Sequence, residues 1–321
     1  MAGAKFEIRR LSLGEILDEG FKVFRHGFWR FLFFQLLLYV PSILVFAFVF
    51  DAGGEALVEM IEIGRVPEVA ELLAAIALFA GAILLIQAIV GPISAVALTR
   101  GVSDTYLSRP WTVGSLLAGA LRDAPRAIAV GSLLIALVLA GILVPVGLVA
   151  AGVITLAGDA LVASDLGAIA AAVLAAGVAG TVALAAGVWI LVRYSVALIA
   201  LAVEGTSVSG AFRRSVELVA GRFGPALGLF LIQIAFNLLA GLMLSAFVPS
   251  PSFEGIDPEE LKTMIPGLVR SQIVSSVLSQ AAGMVVGTYT VICWTLFYFT
   301  MRCEKEGFDL AHLAERVARG E

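Results

Sequence analysis

Six charged residues are the nearest this sequence comes to a chemical site: Arg193, Glu204, Arg213, Arg214, Arg302 and Glu306. A guanidinium is a planar fork that stays charged and pairs two-pronged with phosphate, so such a cluster suits a lipid headgroup. Glu204 and Glu306 equally suit salt bridges that neutralise the arginines and leave a structural cluster. Other chemistry has less to build on. His26 and His312 lie in separate segments, too few and too far apart for a multi-histidine metal site. Cys293 and Cys303 are ten residues apart, about 15 Å along a helix, which rules out a disulfide between them. The chain holds no glycine-rich phosphate loop with its lysine, no nucleophile elbow and no deep carboxylate pair. No catalytic residue, cofactor or metal ligand is therefore expected, and nothing points to nucleic acid.

The elements that position those charges are dictated by composition. Hydrophobic residues make up 60% of 321 positions and charged ones 14%, with mean hydropathy +1.01, whereas soluble domains carry about 25% charge. Stretches free of Asp, Glu, Lys and Arg fall at 31–50, 72–99, 127–158, 166–192, 223–253 and 271–301, each 20 residues or more. A helix of that length crosses about 30 Å of hydrocarbon, and a barrel strand would show short alternating segments instead. The fold class is an all-α, polytopic helical bundle of about six spans, forming a single membrane domain over 1–321. The first apolar run, from about Phe28, is too long for a cleaved signal and reads as a retained span.

With the N-terminus inside, the cytoplasmic segments hold 18 of the 21 basic residues, all but Arg65, Lys262 and Arg270. The positive-inside rule then places both termini in the cytoplasm. Ser12 and Glu15 have capping-box spacing, and Leu13, Ile16, Leu17, Phe21, Phe24 and Phe28 follow at helical intervals. Val208, Ala211, Phe212, Val216, Val219 and Phe223 repeat that pattern after Ser207, and Val113, Leu116, Leu117 and Leu121 do so after Thr112. Three tandem parallel repeats are predicted, 12–107, 112–204 and 207–310, each an interfacial amphipathic helix followed by two spans.

Pro41, Pro92 and Pro145 interrupt spans and predict kinks. Helix four is rich in Ala and Gly, which predicts a central position, and Gly283 and Gly287 mark a second close-packing site. Followed by the apolar run 194–203, helix four is longer than the bilayer is thick and must project or bend. Gln87, Gln233, Asn237 and Gln280 are expected to bond between helices. All four tryptophans, Trp29, Trp111, Trp189 and Trp294, map to the cytoplasmic half as an aromatic belt.

Three blocks carry a family resemblance: RRLSLGEILDEGFKVFRHGF at 9–28, VEGTSVSGAFRRSVELVAGRF at 203–223 and FYFTMRCEKEGFDLAHLAERV at 297–317. They resemble the bacterial membrane-domain family named after glycerophosphoryl diester phosphodiesterases. Thr300 stands where that family more often has Asp. The resemblance implies a membrane module of the bacterial cytoplasmic membrane that acts on or senses lipids. Phosphodiesterase activity in that family belongs to a separate soluble barrel with metal-binding carboxylates and catalytic histidines, which this chain lacks.

The leading function is a non-enzymatic membrane module that binds lipid headgroups, including anionic ones, or a membrane protein partner at its cytoplasmic face. A transporter or permease for an amphipathic small molecule is the alternative, with a lipid-modifying enzyme third.

Overall fold

The computed structural model describes residues 8–62, 69–162, 166–245 and 258–319, and among them every regular element is helical. The order is α1 (Leu13–Glu62), α2 (Val69–Tyr106), α3 (Val113–Val162), α4 (Leu166–Arg193), α5 (Ala197–Glu204), α6 (Val208–Val219), α7 (Phe223–Ser245), α8 (Pro258–Glu306) and α9 (Phe308–Arg319). Six apolar stretches are long enough to span: Leu13–Val45, Leu84–Tyr106, Val113–Ala151, Ala170–Glu204, Phe223–Leu244 and Ile273–Glu306. Large apolar side chains such as Phe48, Leu78, Leu148, Leu174 and Met243 stay exposed. Water would penalise such a belt at about 25 cal/mol per Å², whereas acyl chains do not. The protein is a multi-pass integral membrane protein.

Helix starts follow local chemistry. The Ser12 amide donates to Glu15 Oε2 at 2.8 Å and the Glu15 amide to Ser12 Oγ at 3.4 Å, a reciprocal capping box that opens α1. Thr112 and Ser115 exchange the same pair of bonds, both 3.1 Å, before α3. Ser207 Oγ accepts from the Gly210 amide at 3.2 Å before α6. Pro258 opens α8 at a first-turn position that costs no hydrogen bond, while Asp257 lies outside the described residues.

Only the third amphipathic segment is a helix of its own. Those from Ser12 and Thr112 run without a break into their spans, giving α1 and α3 50 residues each. The third ends because Gly221 adopts φ 79°, a left-handed conformation that costs glycine nothing, so α7 restarts at Phe223. Pro41, Pro92 and Pro145 all lie inside continuous helices.

One apolar cluster draws on α1 through α8 and sits toward the end where α1 and α3 begin and α2, α5 and α8 finish, here termed the charged end. Residues 292–301 of α8 are buried on every face, so α8 is the central helix there. The expected central position of α4 is corrected accordingly. Its small residues serve α3 instead: a Cβ on Gly141 would meet Ile190 at 2.8 Å, and one on Gly187 would meet Ile142 at 3.3 Å. No described residue comes within 4 Å of such a Cβ at Gly283 or Gly287, so they mark no close approach among the described residues. On α1 the packed face is Ile16, Gly20, Val23, Gly27, Phe31 and Phe34, and Phe21 is exposed.

The long fourth span bends rather than projects. Helix α4 stops at Arg193, three residues turn, and α5 runs on with Ala197, Ile199, Ala200, Leu201 and Ala202 buried. Ser215 Oγ of α6 donates to the Arg193 carbonyl at 3.0 Å, satisfying an acceptor freed at that helix end.

Candidate functional site

A helix stop, a helix cap and a side-chain stripe converge at the charged end. Gly205, at φ 65°, stops α5 directly after Glu204, and its amide bonds back to the Leu201 carbonyl. Ser207 then caps α6, which turns Arg214 inward while Arg213, about 100° around the helix, points out. On α8, Tyr298, Arg302 and Glu306 follow at four-residue spacing and form one stripe.

These groups close into a ring of alternating charge. Arg214 Nε donates to both Glu204 oxygens, at 2.9 and 3.1 Å, and the same guanidinium also pairs with Glu306. Arg302 Nε donates to Glu306 Oε2 at 2.9 Å and stands 3.8 Å from Glu204 Oε1. The Tyr298 hydroxyl donates to Glu204. Arg302 lies 4.3 Å from the Phe308 ring centroid and 5.9 Å from that of Tyr298, so aromatic faces cover the cation. Burial works against the Arg214 charge, but the bonds to Glu204 and Glu306 outweigh it and raise its pKa.

Two positive and two negative groups leave the ring neutral, and it ties α5, α6 and α8 together. Of the six residues expected to form a site, Glu204, Arg214, Arg302 and Glu306 meet here. Arg193 and Arg213 engage other groups. The Arg193 guanidinium lies over Trp189, 5.0 Å from its centroid. Arg213 is 3.6 Å from Glu217 with 81% of its side chain exposed. Thr300 donates to its own helix, at the Leu296 carbonyl, 2.9 Å away.

Sequence reasoning missed several partners. Arg100 pairs with Asp123 and also donates to the Ala202 carbonyl at 3.3 Å, linking α2, α3 and α5. Arg222 pairs with Glu304, and Lys305 Nζ caps α6 by donating to the Glu217 and Ala220 carbonyls, both at 2.6 Å. The four-residue spacing of Tyr298, Arg302 and Glu306 was a legible signal for the tyrosine.

The inner carboxylates are thus occupied, whereas a second set of cations faces outward. Among the described residues, Arg10, Arg25, Arg30, Arg109, Arg122 and Arg193 have no carboxylate at ion-pairing distance, and all but the half-buried Arg193 are exposed. Two of them rest on tryptophan: Arg193 on Trp189, and Arg30 on Trp111 at 5.8 Å. The aromatic belt is correspondingly smaller than expected. Trp29 and Trp189 are 78% and 49% exposed, but Trp294 is buried.

Amide groups inside the spans divide as well. Gln35, which was not anticipated, accepts from Ser94 Oγ at 2.7 Å and joins α1 to α2. Gln233 Oε1 accepts from Trp294 Nε1 at 3.0 Å and joins α7 to α8. Gln87 is exposed, Gln280 is half-buried, and Asn237 bonds to the Gln233 carbonyl of its own helix. Both cysteines are buried and free. Among the described residues no three His, Cys, Asp or Glu side chains converge as metal ligands. No family model, curated protein or solved structure matches the chain.

Proposed function

We propose that this protein is a non-enzymatic membrane module whose charged end binds the phosphate of anionic lipids through its outward-facing arginines. One observation carries the reading: the inner arginines are neutralised by Glu204, Glu306, Asp123 and Glu304, while Arg25, Arg30, Arg122 and Arg193 border the apolar belt without a described carboxylate partner. An exposed guanidinium at the rim of the hydrocarbon meets headgroup phosphates and can hold them with two parallel bonds. Trp189 and Trp111 beneath Arg193 and Arg30 limit the side chains' freedom, which lowers the entropy cost of binding. The charged end is then the cytoplasmic one, as the distribution of Lys and Arg predicts.

Native mass spectrometry in detergent tests this with phosphatidylglycerol and phosphatidylcholine of equal chain length. Phosphatidylglycerol should bind at least fivefold more and should lose that advantage as salt shortens the screening length. Equal retention of both lipids would overturn the proposal.

A further inference from the structure

One polar side chain stands out on the lipid-facing surface of α7. Asn237 lies inside the span Phe223–Leu244, in a stretch free of charge, and it is exposed together with its neighbours Phe236, Leu238 and Leu239. Its amide donates one bond within the helix, to the Gln233 carbonyl at 2.8 Å. A carboxamide has two N–H donors and an oxygen acceptor, so one donor and the oxygen are left, and no described residue bonds to either. Acyl chains supply neither a donor nor an acceptor, and a polar group left so in hydrocarbon is costly. Side chains of this kind in a span ordinarily join one helix to another.

The surroundings of Asn237 suit a helix. Leu231, Ile234, Leu238 and Gly241 are all exposed and follow at intervals of three, four and three residues, the spacing of a two-helix seam, with Asn237 at its edge. No described residue lies within 4 Å of a Cβ added at Gly241, so a second backbone can come close there. Gln87 of α2 is exposed as well, but two turns on the same face of α2 turns into the bundle, where Ser94 bonds to Gln35 of α1. It offers no comparable run.

The placing and chemistry of Asn237 select the partner. Copies of one membrane protein insert in one orientation, which brings every Asn237 to the same level with its helix pointing the same way. A two-fold contact then sets identical surfaces against each other, and a carboxamide, being donor and acceptor at once, complements its own copy. A helix of another protein would need a polar group at that level to do as much. We infer that α7 is the interface through which the protein pairs with a second copy of itself in the membrane, packing Leu231, Ile234, Leu238 and Gly241 of the two chains together and hydrogen-bonding the two Asn237 amides across the seam. The contact involves none of the outward arginines and is independent of them.

Disulfide trapping in native membranes tests this, with the full chain carrying Leu238→Cys on the seam or Leu239→Cys about 100° further round α7. The native Cys293 and Cys303 are buried, and the unsubstituted chain gives the background. After mild oxidation Leu238→Cys should form at least about fivefold more covalent dimer than Leu239→Cys. Adding Asn237→Leu should lower that yield about threefold, the worth of one interhelical hydrogen bond in a membrane, while Asn237→Gln retains it. Gly241→Leu should lower it as well, and since no described residue lies within 4 Å of a Cβ there, it decides if Asn237→Leu does not fold. Equal trapping at 238 and 239, trapping at Leu84→Cys beside Gln87 in place of Leu238→Cys, an adduct with a different protein, or an undiminished dimer in a folded Asn237→Leu variant would each overturn the inference.

Discussion

Arg213 and Arg214 are adjacent, yet the geometry predicts opposite consequences of removing them. Arg214→Met deletes a cation that pairs with both Glu204 and Glu306, leaving two carboxylates and one arginine in a ring that was neutral. Removing one member of a fully buried pair costs about 3–5 kcal/mol. The side chains of Arg214 and Glu204 retain 21% and 20% exposure, so solvent screens part of the loss and about 2–4 kcal/mol is expected. Arg213→Ala removes a loose contact with Glu217 at 81% and 55% exposure and should cost under about 0.5 kcal/mol. Adding Glu204→Gln to Arg214→Met restores the charge balance and should recover about 1 kcal/mol. Thermal unfolding of the four proteins in one detergent, with phospholipid phosphorus measured on the same samples, is the assay. Equal losses for the two single variants would refute the structural role of the charge ring. A stable Arg214→Met protein with reduced phospholipid would refute it too, by placing Arg214 in a ligand site.

Helix packing and topology offer further checks. Gly131→Ala would drive a methyl into the Pro92 ring and should destabilise by about 1–3 kcal/mol, whereas Gly147→Ala, with no described residue within 4 Å, should be neutral in the same melt. A double-mutant cycle on Gln35→Leu and Ser94→Ala should show a coupling of about 0.5–1.7 kcal/mol for the 2.7 Å bond between α1 and α2, and additive effects would deny that contact. Cysteines introduced at Ser164 or Ser252 should react with an impermeant maleimide in intact cells, and one at Ser12 should not, since the native Cys293 and Cys303 are buried. Labelling at Ser12 would invert the orientation.

The spans were legible because charge-free apolar stretches have few alternatives to a helix in lipid. Their ends were not, because a helix does not stop where charge begins: Lys22 and Glu19, 2.8 Å apart, stabilise α1 well outside its apolar window. The break before α7 turns on Gly221 at φ 79°, whereas Gly27 continues α1 with the Phe31 ring of the next turn lying over it, and the residue type alone does not separate the two. The amphipathic face of α1 was read from its large residues. Gly20 lets α8 approach closely, since a Cβ there would meet Cys293 Sγ at 2.9 Å, and a pattern built on Phe and Leu is blind to it. Within the candidate site, residue types and the topology that sets the ends of the fourth and sixth spans in one layer pointed to the grouping of Glu204, Arg214, Arg302 and Glu306, which the ion pairs display. The division of Arg213 from Arg214 needed the orientation of α6, and that of Arg193 needed the bend after α4. Asp123 escaped notice because its partner, Arg100, comes from a different hairpin.

Lipid retention by variants of the two arginine classes tests the central claim most directly. Phospholipid carried through purification should be quantified by class for the wild type, for Arg25, Arg30, Arg122 and Arg193 changed together to Gln, and for Arg100→Gln, which breaks an inner pair. The outer variant should keep the wild-type melting temperature and lose most of its anionic lipid, while Arg100→Gln should melt lower and retain that lipid. An outer variant with undiminished anionic lipid would contradict the account.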